Sequence, residues 1–367
     1  MEENIADLFC SLVEIPSPSG SELEVAEYIS RYLKKNGIDS YLDNSGAHIR
    51  SNSGNLVAEV GGSGPTIMFV AHMDTVETGS VKIRPKIKNG TATSHGNTIL
   101  GADNKAAVAA LVSAIIDLKK DNSHSNIIAV FSAREESGIM GVKYLKLNKK
   151  VDYAFIIDGG SPAGTFITRA LGQTPFKIII KGREAHSAVN PEYGRNAIKS
   201  AGLIVASQKL GRFQDGSTVN INKIDGGGST NIIPGQVTIL GEVRAFSPEA
   251  MKKRFSELEA HSRKACKITG CKFNIIQEKK EGAPPFHIGN NKIAEIAKKA
   301  TETAGFRFEL KSENGTIEAN WLKTRIENLI GMSRGGKNPH SKEESIKISE
   351  IIDTKKLILS ISKLKIK

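Results

Sequence analysis

Apolar positions change their period several times along this chain, and those changes outline its architecture. Ser21 to Lys35 has helical spacing, with Ser19 and Glu22 placed as a capping box and Gly37 as a stop. Extended runs follow at Asn55 to Val60, Thr66 to Ala71, Asn126 to Ala133 and Tyr153 to Ile157, and an Ala-rich helical stretch, Asn104 to Lys119, separates the second from the third. Such alternation predicts a layered α/β domain with a mostly parallel sheet.

Around Leu171 and Gly172 the texture changes. Residues 172–281 read as strand, helix, strand, strand, helix, strand, the order of a ferredoxin-like α+β sandwich. The predicted strands are Phe176 to Lys181, Ser217 to Lys223, Gln236 to Arg244 and Lys272 to Gln277; the helices are Arg195 to Leu210 and Pro248 to Thr269. Gly282-Ala283-Pro284-Pro285 breaks the pattern, after which helices at Asn291 to Ala304 and Ser349 to Lys365 flank an extended run at Leu329 and Ile330. The expectation is a discontinuous domain, residues 1–171 and 282–367, interrupted by an inserted domain of residues 172–281, without internal repeats.

Composition narrows the classes. A chain of 367 residues suits two cores, and 39% hydrophobic with 25% charged residues marks a globular protein. The net charge of +12 raises an anionic partner, nucleic acid included. The lysines, however, are scattered from Lys34 to Lys367 without an aromatic-interleaved stripe, so a solvated surface and no nucleic-acid partner are expected. Cys10, Cys266 and Cys271 make no disulfide framework, and the acidic Met-Glu-Glu opening is unlike a secretion signal, so a cytoplasmic setting is expected. Apolar runs such as Ile67 to Ala71 and Ala154 to Ile157 have the length of strands, and no membrane role is implied.

The candidate chemistry clusters at predicted strand ends. His72 and Asp74 follow the run Ile67-Met68-Phe69-Val70-Ala71, at the carboxyl edge where open parallel sheets bind ligands; an ordinary hydrogen-bonded His-x-Asp pair is the other reading. Asp103, in Leu100-Gly101-Ala102-Asp103-Asn104-Lys105, either caps the following helix or faces a ligand. Glu135 and Glu136 end the strand that stops at Ala133, and adjacent carboxylates there repel and resist burial unless a cation or proton offsets them. Asp158, between Ile157 and Gly159-Gly160, repeats that placement. His340, in Asn338-Pro339-His340-Ser341, is either an exposed loop histidine or a further ligand. Two imidazoles with several carboxylates form a donor set suited to zinc, cobalt or manganese.

At these residues the sequence resembles the M20 metallopeptidases, and most closely their peptidase T-like, or tripeptidase-like, branch. The resemblance runs from Ile15-Pro16-Ser17-Pro18-Ser19-Gly20 to the terminal helix. It rests on Ala71-His72-Met73-Asp74-Thr75-Val76, Gly101-Ala102-Asp103, Glu135-Glu136, Ile157-Asp158-Gly159-Gly160, Arg183-Glu184-Ala185-His186-Ser187 and Asn338-Pro339-His340-Ser341. It implies a zinc-peptidase-like catalytic domain carrying an inserted lid and dimerisation domain, and two divalent metal ions, with zinc favoured over cobalt or manganese. One ion would be held by His72, Asp103 and Asp158 and the other by Asp103, Glu136 and His340, Asp103 bridging the two. Asp74 would orient His72. Glu135 would take the proton of the water held between the metals and pass it to the leaving amine. From the inserted domain His186 would stabilise the transition-state oxygen, while Asn231 and Arg244 would grip a short peptide, Arg244 by a bidentate fork on a carboxylate. A homodimer through the lid domain is implied as well. Gly226-Gly227-Gly228 lacks the Lys-Ser/Thr of a phosphate loop and reads as a turn.

Two departures stand out. Asn104 replaces the second aspartate of the family's Asp-Asp-Lys, and in Asn314-Gly315-Thr316-Ile317-Glu318-Ala319-Asn320 a glutamate, Glu318, stands where aspartate is common. The reading is therefore a two-metal aminopeptidase of the tripeptidase type. Its rivals are an aminoacylase or carboxypeptidase-like amidohydrolase with the same cage, and a metal-bound, non-catalytic anion-binding protein.

Overall fold

The computed structural model describes residues 5–76, 81–121, 123–289 and 291–366. They form two compact units, one of residues 1–169, 287–313 and 317–367, the other of residues 170–286 and 314–316. The return to the first unit comes after Phe286, later than the expected break at Gly282, because Ala283 exchanges both backbone hydrogen bonds with Gln173 (2.8 and 2.9 Å).

The first unit is built on a mixed sheet in the order Ser40–Leu42, Leu56–Val60, Asn126–Ser132, Thr66–His72, Tyr153–Ile157, Leu329–Met332, Thr165–Ala170. The four strands from Asn126–Ser132 to Leu329–Met332 run parallel, and antiparallel strands flank them. A parallel strand is covered on both faces, so its side chains are apolar without alternation: in Thr66–His72 every residue after Thr66 is buried. The main covering helix, Ala102–Lys120, packs on Thr66–His72 and against helices Ile5–Glu14 and Ile348–Lys363.

One local expectation fails, and one element went unpredicted. The Ser19/Glu22 capping box does not form; helix Leu23–Lys35 starts at Glu22 without a side-chain cap. Ser19 and Glu22 bond elsewhere, at the ends of the central strands. A hairpin missed in the sequence, Pro85–Lys88 with Thr91–Ser94, turns at Asn89 and Gly90 with φ of 51° and 72°, the positive values that a two-residue hairpin needs.

The second unit is an antiparallel sheet in the order Gly211–Arg212, Thr218–Gly226, Gln236–Ala245, Gly172–Lys181, Lys272–Gln277, with helices Ala197–Ser207 and Pro248–Thr269. Strand Gly172–Lys181 alternates buried and half-buried positions along most of its length, and the buried set, Phe176, Ile178 and Ile180, joins Leu258 and Phe255 of the longer helix in one core. That helix opens with Ser247 accepting from Ala250 N at 3.1 Å and Pro248 in its first turn, and ends at Gly270 with φ of 69°.

Candidate metal centre

Because Thr66–His72, Asn126–Ser132 and Tyr153–Ile157 run parallel, the residues just past their ends share one edge of the sheet. His72 closes the first strand, 1% exposed, opposite Ser132. Glu135 and Glu136 lie just beyond the second, after Arg134 bends the chain with φ of 53°. Asp158 lies just beyond the third.

Asp103 reaches the same edge from the helix side. The backbone of Asp103 and Asn104 is not helical and the bond between them is cis; the side chain of Asp103 faces the two histidines of the edge. The amides here are satisfied by Glu344, whose carboxylate accepts from Leu100 N (2.8 Å), Gly101 N (2.7 Å) and Asp103 N (2.9 Å). His340 arrives on a backbone held at φ of 61°, a costly conformation for a non-glycine residue that recurs where a side chain must be aimed.

The result is a compact donor cluster. Ligand atoms of His72, Asp103 and Glu136 lie within 4.8 Å of one another. His72 Nε2 is 3.3 Å from Asp103 Oδ1, while His340 Nε2 is 2.8 Å from Glu136 Oε1 and 3.6 Å from Asp103 Oδ2. Asp103 thus turns one oxygen toward each histidine.

Asp74 braces the ensemble. Its Oδ1 accepts from Glu135 N at 2.9 Å and its Oδ2 from Glu136 N at 3.0 Å and Ser19 Oγ at 2.5 Å, while Oδ1 lies 3.5 Å from His72 Nδ1. The residue before the two glutamates is fixed by Glu22, whose Oε1 accepts from Arg134 N at 3.0 Å and whose Oε2 accepts from Ser51 Oγ at 2.5 Å. Ser19 and Glu22, which look like a helix start in the sequence, therefore support the strand ends.

Taken as protein charges alone, the cluster repels itself. Burial drives the Glu135 carboxyl well above its usual range against the pull of His72, and Asp158, Glu136 and Asp74 push it further. Burial and then Asp103 raise Asp158 to about 6. Burial also acts on Asp103, but Arg334 and the two histidines hold it well below the ordinary carboxylate range. His72 is buried, which disfavours its proton, yet contacts with Asp103 and Asp74 raise it well above normal. His340, bonded to Asp103 and Glu136, rises to about 10.

These residues fit a divalent cation. Asp103 Oδ1 is buried without a hydrogen bond of acceptable angle, although Arg334 Nη2 stands 2.7 Å away as an ion pair. An acceptor oxygen aimed at imidazoles and further carboxylates is a hard donor set for a metal. His72, with Nδ1 3.0 Å from Asp74 O and Nε2 toward Asp103, has the backed orientation typical of ligating imidazoles.

Of four further residues at this edge, Arg334 and Glu344 carried no signal in the sequence, and Asn104 and Glu318 stood out there only as departures from the family pattern. Arg334 and Glu344 lie far along the chain from the Asp103 loop that they hold. Asn104 donates to Ile157 O at 2.7 Å and accepts from Arg334 Nε at 2.7 Å. Glu318, 1% exposed, has a buried Oε2 without a hydrogen-bond partner, and burial, opposed by His72, raises its carboxyl to about 7.

The other three candidates belong to the second unit. His186 pairs across a bridge with Ile232, and Ser187 N donates to Asn231 O at 2.8 Å, so His186 and Asn231 share one loop region. His186 Nδ1 accepts from Ala188 N and Val189 N, both at 3.2 Å, which directs Nε2 outward. Arg244 lies on strand Gln236–Ala245, where Glu242 accepts from its Nε at 2.8 Å and its Nη2 at 3.3 Å and is itself held by Gln173 Nε2 at 2.6 Å.

A family model, peptidase family M20/M25/M40, matches residues 68–363, a span that contains every donor of the cluster. The chain belongs to that family. It is therefore an M20 metallopeptidase. An uncharacterised Bacillus subtilis protein, YqjE, is 31% identical over 364 residues, covering 98% of both chains. A succinyl-diaminopimelate desuccinylase of Nitrosomonas eutropha is 26% identical, covering 81% of this chain and 82% of the relative. Among solved structures, the aminopeptidase PepT of Bacillus cereus superposes with a TM-score of 0.87 at 29% identity, over 99% of this chain and 98% of that one. A tripeptidase of Staphylococcus aureus gives 0.88 at 27% identity, with the same coverage. Like them, this M20 chain has a mixed α/β fold with a mostly parallel central sheet. No helix among the described residues is long and apolar enough to cross a membrane.

Proposed function

We propose that this M20 peptidase is an aminopeptidase of the tripeptidase type, acting on short peptides with two divalent ions, zinc first among them. The carrying observation is the meeting of His72, Asp103 and Glu136 within 4.8 Å at an edge where Glu135 is placed by the same residue, Asp74, whose main-chain carbonyl backs His72. His72, Asp103 and Asp158 would hold one ion, and Asp103, Glu136 and His340 the other. When bound, the ions supply charge that polarises the scissile carbonyl and acidifies the attacking water. Likeness to the PepT aminopeptidase and the tripeptidase over nearly the whole chain supports the substrate class.

Glu135 is the base in this reading. Among the described residues nothing ties its carboxylate down, whereas its amide is fixed by Asp74, so the side chain can take a proton from water and deliver it to the leaving amine. Glu136 differs because its carboxylate faces His340 at 2.8 Å, the position of a ligand. His186, Asn231 and Arg244 would meet the substrate, with Glu242 fixing the Nε–Nη2 edge of Arg244 and orienting the rest of the fork toward a terminal carboxylate. The second unit would serve as lid and as the contact in a homodimer, and a cytoplasmic setting suits three unpaired cysteines.

The test is a substrate panel on protein stripped with chelator and rebuilt with zinc, cobalt or manganese. Tripeptides with a free amino terminus should be cleaved fastest. Preference for N-acyl or N-succinyl amino acids would replace the reading with an amidohydrolase like the desuccinylase relative.

A further inference from the structure

Arg334 is the unexpected charge in the cage. It is 3% exposed and pinned on every side: its backbone N donates to Gly159 O at 2.9 Å, Nη1 to Gly335 O at 2.7 Å and Nε to Asn104 Oδ1 at 2.7 Å. Nη2 stands 2.7 Å from Asp103 Oδ1, the oxygen that faces His72, and this is the one ion pair of Arg334 among the described residues. Glu344 also lies in its field, but both oxygens of that carboxylate are taken by backbone amides.

Asn104 is matched to this arrangement. Its amide accepts from the guanidinium and at the same time donates to Ile157 O, next to Asp158, which an ionised carboxylate cannot do. An aspartate there would set oxygen against oxygen at Ile157. It would also give Arg334 a second negative partner. With asparagine, the guanidinium charge falls on Asp103 and, beyond it, on Asp158.

We propose that Arg334 makes the two cation positions unequal, weakening the one served by His72, Asp158 and Asp103 Oδ1, so that at limiting supply the protein holds a single divalent ion on the Glu136–His340 side. This inequality rests on the two-ion metal centre proposed for the strand edge and adds one thing to it, a fixed positive charge beside one half of the cage. Oδ1 has two lone pairs and Arg334 faces it with one nitrogen, so the effect is electrostatic weakening rather than blockade. A separation on the order of 100-fold is what Coulomb's law gives, at an effective dielectric near 20, for the difference between a double charge close to the guanidinium and one a few ångströms farther away.

The experiment is calorimetric titration of manganese or zinc into chelator-stripped full-length protein, with metal content measured after gel filtration. Wild type should bind one ion at least ~100-fold more tightly than the second and retain one per chain. Arg334→Gln should bring the ratio under ~10 and retain two, while Arg334→Lys, which keeps the charge, should preserve the wild-type ratio. Two equal steps in wild type would overturn the proposal whether or not a variant folds, as would an unchanged ratio in Arg334→Gln or a collapsed one in Arg334→Lys. Absence of any bound ion would instead sink the metal centre itself.

Discussion

The two sheets of this protein handle polar side chains in opposite ways. In the first unit, Thr66–His72 and Tyr153–Ile157 are buried along almost their whole length, and ionisable groups appear only where the strands stop. In the second, Gly172–Lys181 and Gln236–Ala245 bury every other residue over most of their length, so Lys177, Glu242 and Arg244 sit within the strands. A sheet covered on both faces gathers its charges at one edge, where they are crowded, desolvated and mutually repelling, which is the electrostatic setting of chemistry. A sheet with one open face spreads its charges over a wet surface, where they recognise rather than react.

The sharpest test of that contrast is Glu135→Ala, which should lower kcat by about 10²–10⁴-fold in a peptidase assay while metal content stays at the wild-type level. Normal turnover would remove the base from the edge and the contrast with it. Next in size is packing. Phe69→Ala, which deletes a fully buried ring stacked 5.6 Å from Phe155, should cost about 3–5 kcal/mol in urea denaturation. Lys177→Ala, on the open face with only a 3.5 Å contact to Glu278, should stay within about 0.5 kcal/mol. Equal costs would mean that the two sheets are not built differently.

Glu318 measures the strain of crowding carboxylates at the buried edge. Burial, partly offset by His72, raises its folded value to about 7 from 4.5. The folded state therefore holds this proton more tightly than the unfolded state. The associated stability is fully present below pH 4.5 and is lost as pH rises through about 7. Glu318→Gln should make metal-free protein more stable than wild type at pH 8 by up to about 3 kcal/mol, an advantage that fades by pH 4.5. A thermal melt series across that range reads it, and an advantage independent of pH would mean that Glu318 does not titrate there. The smallest effect belongs to the open face. Arg244→Ala should raise KM for a tripeptide by about 10–100-fold with little change in kcat, since it removes a charged hydrogen bond from binding alone. A fall in kcat as large as that of Glu135→Ala would move Arg244 out of the recognising class.

Much of the edge was legible beforehand because buried strands announce themselves. The runs ending at His72, Ala133 and Ile157 are too apolar to be anything but covered strands, and the residues just past their ends must share an edge once the strands are parallel. The ferredoxin-like order of the second unit was legible for a related reason, its alternation being local. The contacts that escaped depend on long-range closure. Arg334 meets Asn104 across 230 positions and Glu344 meets Leu100 across 244, and no local pattern encodes such pairs. Ser19 and Glu22 misled because their spacing satisfies a local rule that a distant partner overrides: Asp74 and Arg134 offer them better hydrogen bonds than the helix start does. The Asn89-Gly90 turn, by contrast, was a local signal that was there to be used.

Asp74 has one further consequence. Its carboxylate fixes the backbone of the two glutamates, while its main-chain carbonyl oxygen faces the His72 Nδ1 at 3.0 Å. His72, Glu135 and Glu136 are therefore spaced by this one residue, like teeth on a common rack. The converse is a point of failure for the base and its neighbour: loss of this one side chain would release both glutamates at once and leave His72 on the main-chain carbonyl alone.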